Sequence, residues 1–352
     1  MDVALVGMRT DPPFATEATA RRRRLAEGLA ARGHDVTVLC ARWWGFDGTI
    51  WEDGGVTYRA VCDRVAAGTF AARLPAHLGR VRPDVVHAAA SPPAAVASAR
   101  AAATVLRVPL LVDWWDDHPA DRPAAYRRVA RLPATVTVPS RLAATHAREC
   151  GVPDDRVTTL PEPVDYDLVR AAPVEARADV VYARRLDADA NVESLLLALA
   201  ELRDQSWRAA VVGDGPSREA AEETAAELRI DDRVEFLGDL PLADLVPVLK
   251  GAHVFAQTAT RERFANELCW ALACGCVGVV EYQADSAAHE LVEGDRNGVR
   301  VTSPQELADQ IVAVAGRDRR TVDERFAEFD RPTVLRRLEE CYRTAIAGHG
   351  LR

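Results

Sequence analysis

Residues 179–203 read DVVYARRLDADANVESLLLALAELR. DVVYA is a short apolar run rich in β-forming residues. NVESLLLALAELR (191–203) carries leucine and alanine at the spacing of a strongly amphipathic helix. A buried strand that passes through a turn bearing Arg184 and Arg185 into a helix is one half of a parallel βαβ unit. The same alternation runs outward both ways. Toward the N-terminus stand VALVG (3–7), a helix from about Ala18 to Ala31 broken at Arg32-Gly33, DVTVLC (35–40), DVVHAA (84–89) ahead of an alanine-rich helix, LLVDWW (110–115), and TVTVP (135–139) with a helix through Cys150. Toward the C-terminus follow AAVVG (209–213), a helix over Arg218–Leu228, VEFLG (234–238), HVFAQ (253–257) and VGVVEY (277–282), and RPTVLRRLEECYRTAI (331–346) reads as a last helix. Strands this apolar imply parallel sheets covered on both faces. Two such series predict an α/β chain of two doubly wound, Rossmann-like halves facing across a cleft, with ligands beyond the carboxyl ends of the strands. The boundary falls near 163–178, within the proline- and charge-rich PEPVDYDLVRAAPVEARAD.

Composition agrees. At 352 residues the chain is longer than one average domain, and 48% hydrophobic residues suffice for buried cores. No apolar run reaches the roughly 18 residues of a membrane span, and MDVALVGMRTDPP reads as a first strand rather than a signal peptide, so a cytoplasmic protein is expected. A net charge of −9 argues against a general nucleic-acid binder. Lys250 is the sole lysine, and every other basic residue is arginine. With abundant Asp, Glu and Ala this points to a GC-rich, salt-adapted source such as a haloarchaeon; codon bias alone yields the same composition. The seven cysteines are odd in number and scattered through apolar segments, which fits reduced core thiols. Cys274 and Cys276 have no second pair to complete a zinc site.

Several residues stand where chemistry is done in such folds. VVGDGP (211–216) puts Gly213 and Gly215 between strand and helix, for close approach to a ligand or for tight packing. Arg185 follows its strand directly; a guanidinium there can grip a diphosphate bidentately, or pair with Asp187 or Asp189. Glu262 comes just after HVFAQ, ahead of a helix around 264–273. There a carboxylate can accept hydrogen bonds from sugar hydroxyls, and the amides of Phe264 and Ala265 can face an anion or a sugar oxygen. Glu267 and Trp270 lie three apart on that helix. The alternative for 258–275 is a packed helix with its acids in water.

The order GHDVTVL (33–39), RPDVVHA (82–88), LPEPVD (160–165), VVYARRL (180–186), VVGDGP, RVEFLG (233–238) and a glutamate before ALACGCVGVV (271–280) resembles the GT4 (group 1) family of retaining glycosyltransferases. The resemblance covers nearly the whole chain and implies the GT-B fold. It assigns 1–167 to the acceptor side, 168–330 to nucleotide-sugar binding, and 331–352 to a helix returning to the first domain. It implies transfer of a sugar, with retention and without a metal or cofactor, from a nucleotide-sugar to a glycan or lipid-linked acceptor. Arg185 and nearby amides would take the leaving diphosphate, Glu262 would orient the donor sugar, and domain closure would complete the site. Donor binding falls on Arg185, Gly213, Gly215, Glu262, Phe264, Ala265 and Glu267. Catalysis falls on Glu262 and on Asp116 or His118 of DWWDDHP (113–119), which would orient the acceptor hydroxyl; the alternative is that Asp117 and His118 merely pair or cap the following turn.

The departures from the family are specific. Its second glutamate, eight positions after Glu262 and a usual ribose contact, falls on Trp270; its clamp lysine falls on Ala190. The glycines around Phe264 are Arg263 and Ala265, the early Gly-Gly loop is Phe14-Ala15-Thr16, and the linker Asn-Gly is Glu162-Pro163. Three readings follow: Glu267 supplies the ribose contact and Arg184 or Arg263 the missing cation; the donor differs; or catalysis is lost and the protein serves as a scaffold or binding partner. One further alternative on the same fold is a nucleotide-sugar epimerase. In the first half, Trp114 and Trp115 are core or a sugar platform, His87 is a structural polar residue near its strand end, and Arg21–Arg24 are a solvated run. One or two of these arginines would touch phosphate or the inner membrane face if the acceptor is lipid-linked.

Overall fold

The structure, a computed structural model, describes residues 1–10, 16–115, 123–294 and 297–350. The chain divides into two compact units, Met1–Pro161 with Val334–Arg352, and Glu162–Thr333.

The first unit is built on an eight-stranded sheet. Its strands are β1 (Asp2–Val6), β2 (Asp35–Ala41), β3 (Ile50–Asp53), β4 (Val56–Cys62), β5 (Val85–Ala89), β6 (Leu110–Asp113), β7 (Thr135–Val138) and β8 (Val157–Thr159), in the order β3-β4-β2-β1-β5-β6-β7-β8. All neighbours are parallel except β3, which runs antiparallel to β4 at the edge. The hairpin Ile50–Cys62 has no continuous apolar run: β3 alternates exposed and half-buried residues, so it lacks the signature that marks the inner strands. One face packs under α1 (Glu17–Ala31) and the C-terminal helix (Arg331–Gly350), through Leu25, Leu29, Val38, Tyr58, Leu335, Leu338 and Tyr342. The helices pack so closely that a Cβ on Gly28 would lie 2.7 Å from a Leu335 methyl. The other face is covered by α2 (Ala67–Val81), α3 (Pro93–Leu106), α4 (Pro123–Val129) and α5 (Arg141–Glu149), through Phe70, Leu74, Val96 and Ala147.

The arginine run is not a solvated face. Arg21 has no exposed surface. Its guanidinium meets Asp113 at 3.1 Å, donates to the carbonyls of Leu160 and Pro161, and lies 5.0 Å from the Trp115 ring. Asp113 also accepts from Thr137 Oγ1 at 2.8 Å, and His87, in mid-strand rather than at its end, bonds Tyr342 Oη at 2.8 Å. Burial favours a neutral Asp113, but the Arg21 charge, His87 and the Thr137 hydroxyl outweigh it, and the carboxyl sits below its usual range. Burial drives the His87 imidazole down to about 4, so the ring is neutral near pH 7. Trp114 and Trp115 are buried core residues.

The second unit has a six-stranded parallel sheet in the order β11-β10-β9-β12-β14-β16 and a parallel pair β13-β15. These are β9 (Val180–Ala183), β10 (Ala209–Val212), β11 (Val234–Gly238), β12 (Val254–Gln257), β13 (Arg261–Glu262), β14 (Val277–Glu281), β15 (Asp285–Ser286) and β16 (Gly298–Val301). The helices are α6 (Tyr166–Ala171), α7 (Val192–Glu201), α8 (Arg218–Glu227), α9 (Leu242–Gly251), α10 (Asn266–Ala273) and α11 (Pro304–Val314). Leu195, Leu196 and Leu199 of α7 face Tyr182, Val211 and Val279 of the sheet. The lone lysine is structural: Lys250 is buried and donates to the carbonyls of Val169 and Ala172 at the end of α6. Among the described residues no helix is long and apolar enough to cross a membrane.

Two measurements check this account. Arg21→Met should lower the unfolding free energy by about 3 kcal/mol or more, because it strands a buried Asp113 carboxylate. Adding Asp113→Leu should then cost less than the sum of the single changes in urea denaturation. Stability should also fall with acid in two windows. His87 has its folded pKa below the unfolded value, so its contribution is complete above about 6.5 and is lost as the pH falls toward 4. Glu339 is held at about 2, chiefly by its hydrogen bond from Arg32 against the effect of burial, so its contribution is complete above about 4.5 and lost toward pH 2. Glu339→Gln should flatten the lower window in melts taken across this range, and leave the upper one.

Candidate functional site in the second unit

The sheet order fixes where this site lies. From β9 the chain moves outward to β10 and β11; β12 then returns to the other side of β9. The reversal between β9 and β12 is the switch point at which open α/β sheets bind ligands, beyond their carboxyl ends. The residues leaving those two strands are Arg184 and Arg185 after β9, and Thr258 to Glu262 after β12.

Backbone and side-chain bonds stitch the two loops together. Asn191, in the left-handed region at φ 49°, donates from Nδ2 to the Thr258 carbonyl at 2.9 Å. The Thr258 hydroxyl donates back to the Asn191 carbonyl at 2.7 Å, and the Thr260 amide bonds the Asp189 carbonyl. The buried Tyr182 hydroxyl donates to the Ala190 carbonyl, and burial pushes that phenol well above its ordinary range.

Arg184 and Glu262 meet in this frame. The Arg184 guanidinium lies 2.9 Å from Glu262, whose carboxylate is 4% exposed, and 3.3 Å from Asp187. It also donates to the carbonyls of Asp189 and Arg261. So Arg184 takes the Asp187 pairing that was open to Arg185. Arg185 itself is exposed, and its guanidinium has no partner among the described residues.

The glycines of VVGDGP hold this pair of arginines. A Cβ on Gly213 (φ 126°) would lie 1.9 Å from the Arg184 carbonyl oxygen, and one on Gly215 (φ 154°) 2.2 Å from that of Leu186. The Arg184 and Leu186 amides in turn bond the Val212 and Asp214 carbonyls. The glycine positions are thus demanded by backbone packing, which sets the direction in which both arginines leave the strand.

Beyond Glu262 the chain turns into α10. The helix begins at Asn266, two residues later than the sequence pattern indicates, and Ala265 caps it with no side-chain bond. Phe264 is buried against Phe329, ring centroids 6.1 Å apart, and Ala265 is buried, so both contribute packing here. Glu267 is half-buried in the first turn. Trp270 is buried, and its indole N–H has no hydrogen-bond partner among the described residues. Arg263 and Arg261 each pair with Asp285 at 2.9 Å. Burial of the Asp285 carboxyl is outweighed by those two arginines, which hold it below the usual range. Arg184 and Arg263, the two cations considered as substitutes for the lysine replaced by Ala190, are thus both engaged with carboxylates.

Asp116 and His118 lie outside the described residues, as do Phe14 and Ala15. Sequence reasoning missed the Arg184–Glu262 pair and the Arg263–Asp285 pair. The doublet Arg184-Arg185 was visible, but not which arginine turns inward.

The arrangement offers an exposed cation, a buried carboxylate held in place by a second arginine, and a helix N-terminus. Residues 177–316 match the family described as glycosyl transferases group 1, and residues 16–163 match the glycosyl transferase 4-like domain. Over 166 residues the chain is 27% identical to 2-deoxystreptamine glucosyltransferase of Streptomyces kanamyceticus, covering 43% of this chain and 42% of that protein. Over 134 residues it is 28% identical to one component of the phosphatidylinositol N-acetylglucosaminyltransferase of Arabidopsis thaliana, covering 37% and 30%. The match therefore spans less than half the length of either curated relative. In fold the chain is similar to the crystal structure of Anabaena HepE in complex with UDP (TM-score 0.79, 19% identity, 98% of this chain and 100% of that one). It is equally similar to sucrose-phosphate synthase from Thermosynechococcus elongatus (TM-score 0.79, 18% identity, 98% and 99%). With the two family matches together taking in most of both units, the chain belongs to the group 1, GT4-like glycosyltransferases and has their GT-B fold.

Proposed function

We propose that this glycosyltransferase moves a sugar, with retention of configuration, from a nucleotide-diphosphate-sugar to a hydroxyl of a glycan or lipid-linked acceptor. The observation that carries the reading is the convergence of Arg184 and Glu262, at 2.9 Å, beside Arg185, which is exposed and has no side-chain partner among the described residues, at the switch point of the second sheet. The solved Anabaena HepE structures hold UDP and UDP-glucose, which supports a uridine-type donor for a chain of this fold.

In this reading Arg185 meets the diphosphate and stabilises the negative charge that builds on it as the glycosidic bond breaks. Glu262 accepts hydrogen bonds from hydroxyls of the donor sugar. Arg184 acts through Glu262 as a positioning residue, holding its buried carboxylate in place. Trp270 can donate one hydrogen bond but accept none, so the ribose hydroxyls must donate elsewhere, and the half-buried Glu267 one turn earlier is the carboxylate we assign to them. No step assigned to these residues calls for a metal. Asp116 or His118 would orient the acceptor hydroxyl. A second reading, a nucleotide-sugar-binding scaffold without catalysis, is favoured by Ala190 and Trp270 standing where the family has a lysine and a glutamate.

Thermal-shift and turnover measurements against a panel of nucleotide sugars separate these readings. The wild type should be stabilised by at least one donor and should release its nucleotide. Arg185→Ala should weaken donor binding by about 10- to 100-fold, the loss of one charged hydrogen-bonding contact. Glu262→Gln should lower kcat by about 100-fold or more with a smaller change in KM. Binding without turnover in the wild type selects the scaffold reading. No binding to any donor ends both readings, and two variants that behave as wild type end the residue assignment.

A further inference from the structure

A second cluster of charge, in the first unit, belongs to no part of this scheme. Arg73, His77 and Arg80 fall at i, i+4 and i+7 on α2 and so form one stripe along it. Arg59 stands in mid-β4 between Tyr58 and Ala60, which pack beneath α1; strand alternation turns Arg59 to the opposite face, the one α2 covers. The four groups are close enough that the charges of Arg80, Arg59 and Arg73 all act on the His77 ring, and together with burial they disfavour its protonation.

Among the described residues no acidic side chain answers them. None of the three arginines has an ion-pair or hydrogen-bond partner for its side chain among the described residues. Arg59 Nε and His77 Nδ1 are both shut away from solvent with no hydrogen-bond partner among the described residues, although buried polar atoms almost always have one. Acidic side chains are scarce here: Glu52 on β3 is exposed and opposite Thr57, outside ion-pair range, and Asp63 is taken by Arg42. In a chain with a net charge of −9, the half-buried Arg59 and the exposed Arg73 and Arg80 form a concentration of positive charge with no acidic partner among the described residues.

We propose that Arg59, Arg73, His77 and Arg80 form a phosphate-binding site on the α2 face of the first unit. Guanidinium forks present several N–H donors at once to a tetrahedral oxyanion, which suits a phosphate monoester or diester better than a single carboxylate. A phosphate held by the guanidinium groups would also offer an acceptor to Arg59 Nε, and to His77 Nδ1 in the tautomer that carries its proton there. The site lies in mid-strand along α2, in the other unit from Arg185 and Glu262, and does not depend on the reading given to those residues.

The test titrates the full-length protein with potassium phosphate at low ionic strength, following the His77 ring resonances by NMR, with potassium chloride matched for ionic strength as control. A saturable shift is expected with phosphate alone. Arg59→Gln should weaken it about tenfold or more, and so should the double change Arg73→Gln/Arg80→Gln, which alters only exposed side chains and leaves the fold intact. Co-sedimentation with phosphatidylcholine vesicles, with and without phosphatidylglycerol, identifies the source. Phosphate-competed binding to the anionic vesicles assigns the site to a lipid headgroup; saturable phosphate binding without sedimentation assigns it to a soluble phosphoester. The proposal is overturned if chloride reproduces the shift, if His77 does not respond saturably, if both variants bind as wild type, or if anionic vesicles bind while phosphate does not.

Discussion

The structure of the candidate site depends on one buried ion pair. Glu262 is almost wholly removed from solvent, and a carboxylate in that position keeps its charge only with a partner at hand. Arg184 is that partner at 2.9 Å, and Asp187 and two backbone carbonyls hold it in turn. The pair exists because two loops from opposite sides of a strand-order reversal are laced together and because Gly213 and Gly215 let a third loop lie directly against the Arg184–Leu186 backbone. Sending Arg184 inward sends Arg185 outward. The division of labour between adjacent arginines, one structural and one facing solvent, is therefore a product of backbone packing.

The first unit uses the same device in its core. Arg21, Asp113, Thr137, His87 and Tyr342 connect a helix, three strands and the C-terminal helix through buried polar contacts. A guanidinium with five donors can satisfy a carboxylate and two carbonyls together and still stack on an indole, which the point charge of a lysine cannot do. In this chain the paired interior cations are arginines, and the single lysine caps a helix end.

Much of this was legible in the sequence. The strands DVVYA, AAVVG and HVFAQ are buried on both faces, so their composition alone marks them, and the βα alternation they impose leads to two doubly wound sheets. The β3-β4 hairpin escaped notice because an edge strand is half-solvated and carries no apolar run. The helix after Glu262 starts late because Arg261 and Glu262 are taken up in a short strand beside β15, a pairing between residues 24 apart that no local pattern encodes.

Read alone, the chain's amino acids determined its class, its two series of strands, the arginine and glutamate positions at strand ends, and the likeness to a glycosyltransferase family. Each of these follows from local periodicity or from ordered motifs. Only the tertiary structure decided which of two neighbouring arginines pairs with Glu262, that Gly213 and Gly215 serve backbone packing, and that Arg21 is interior while Arg59, Arg73 and Arg80 lack partners among the described residues. Such choices turn on burial and on contacts between distant segments. The cost of leaving a charge unpaired depends on the dielectric around it, and that is a property of the folded chain and not of any stretch of its sequence.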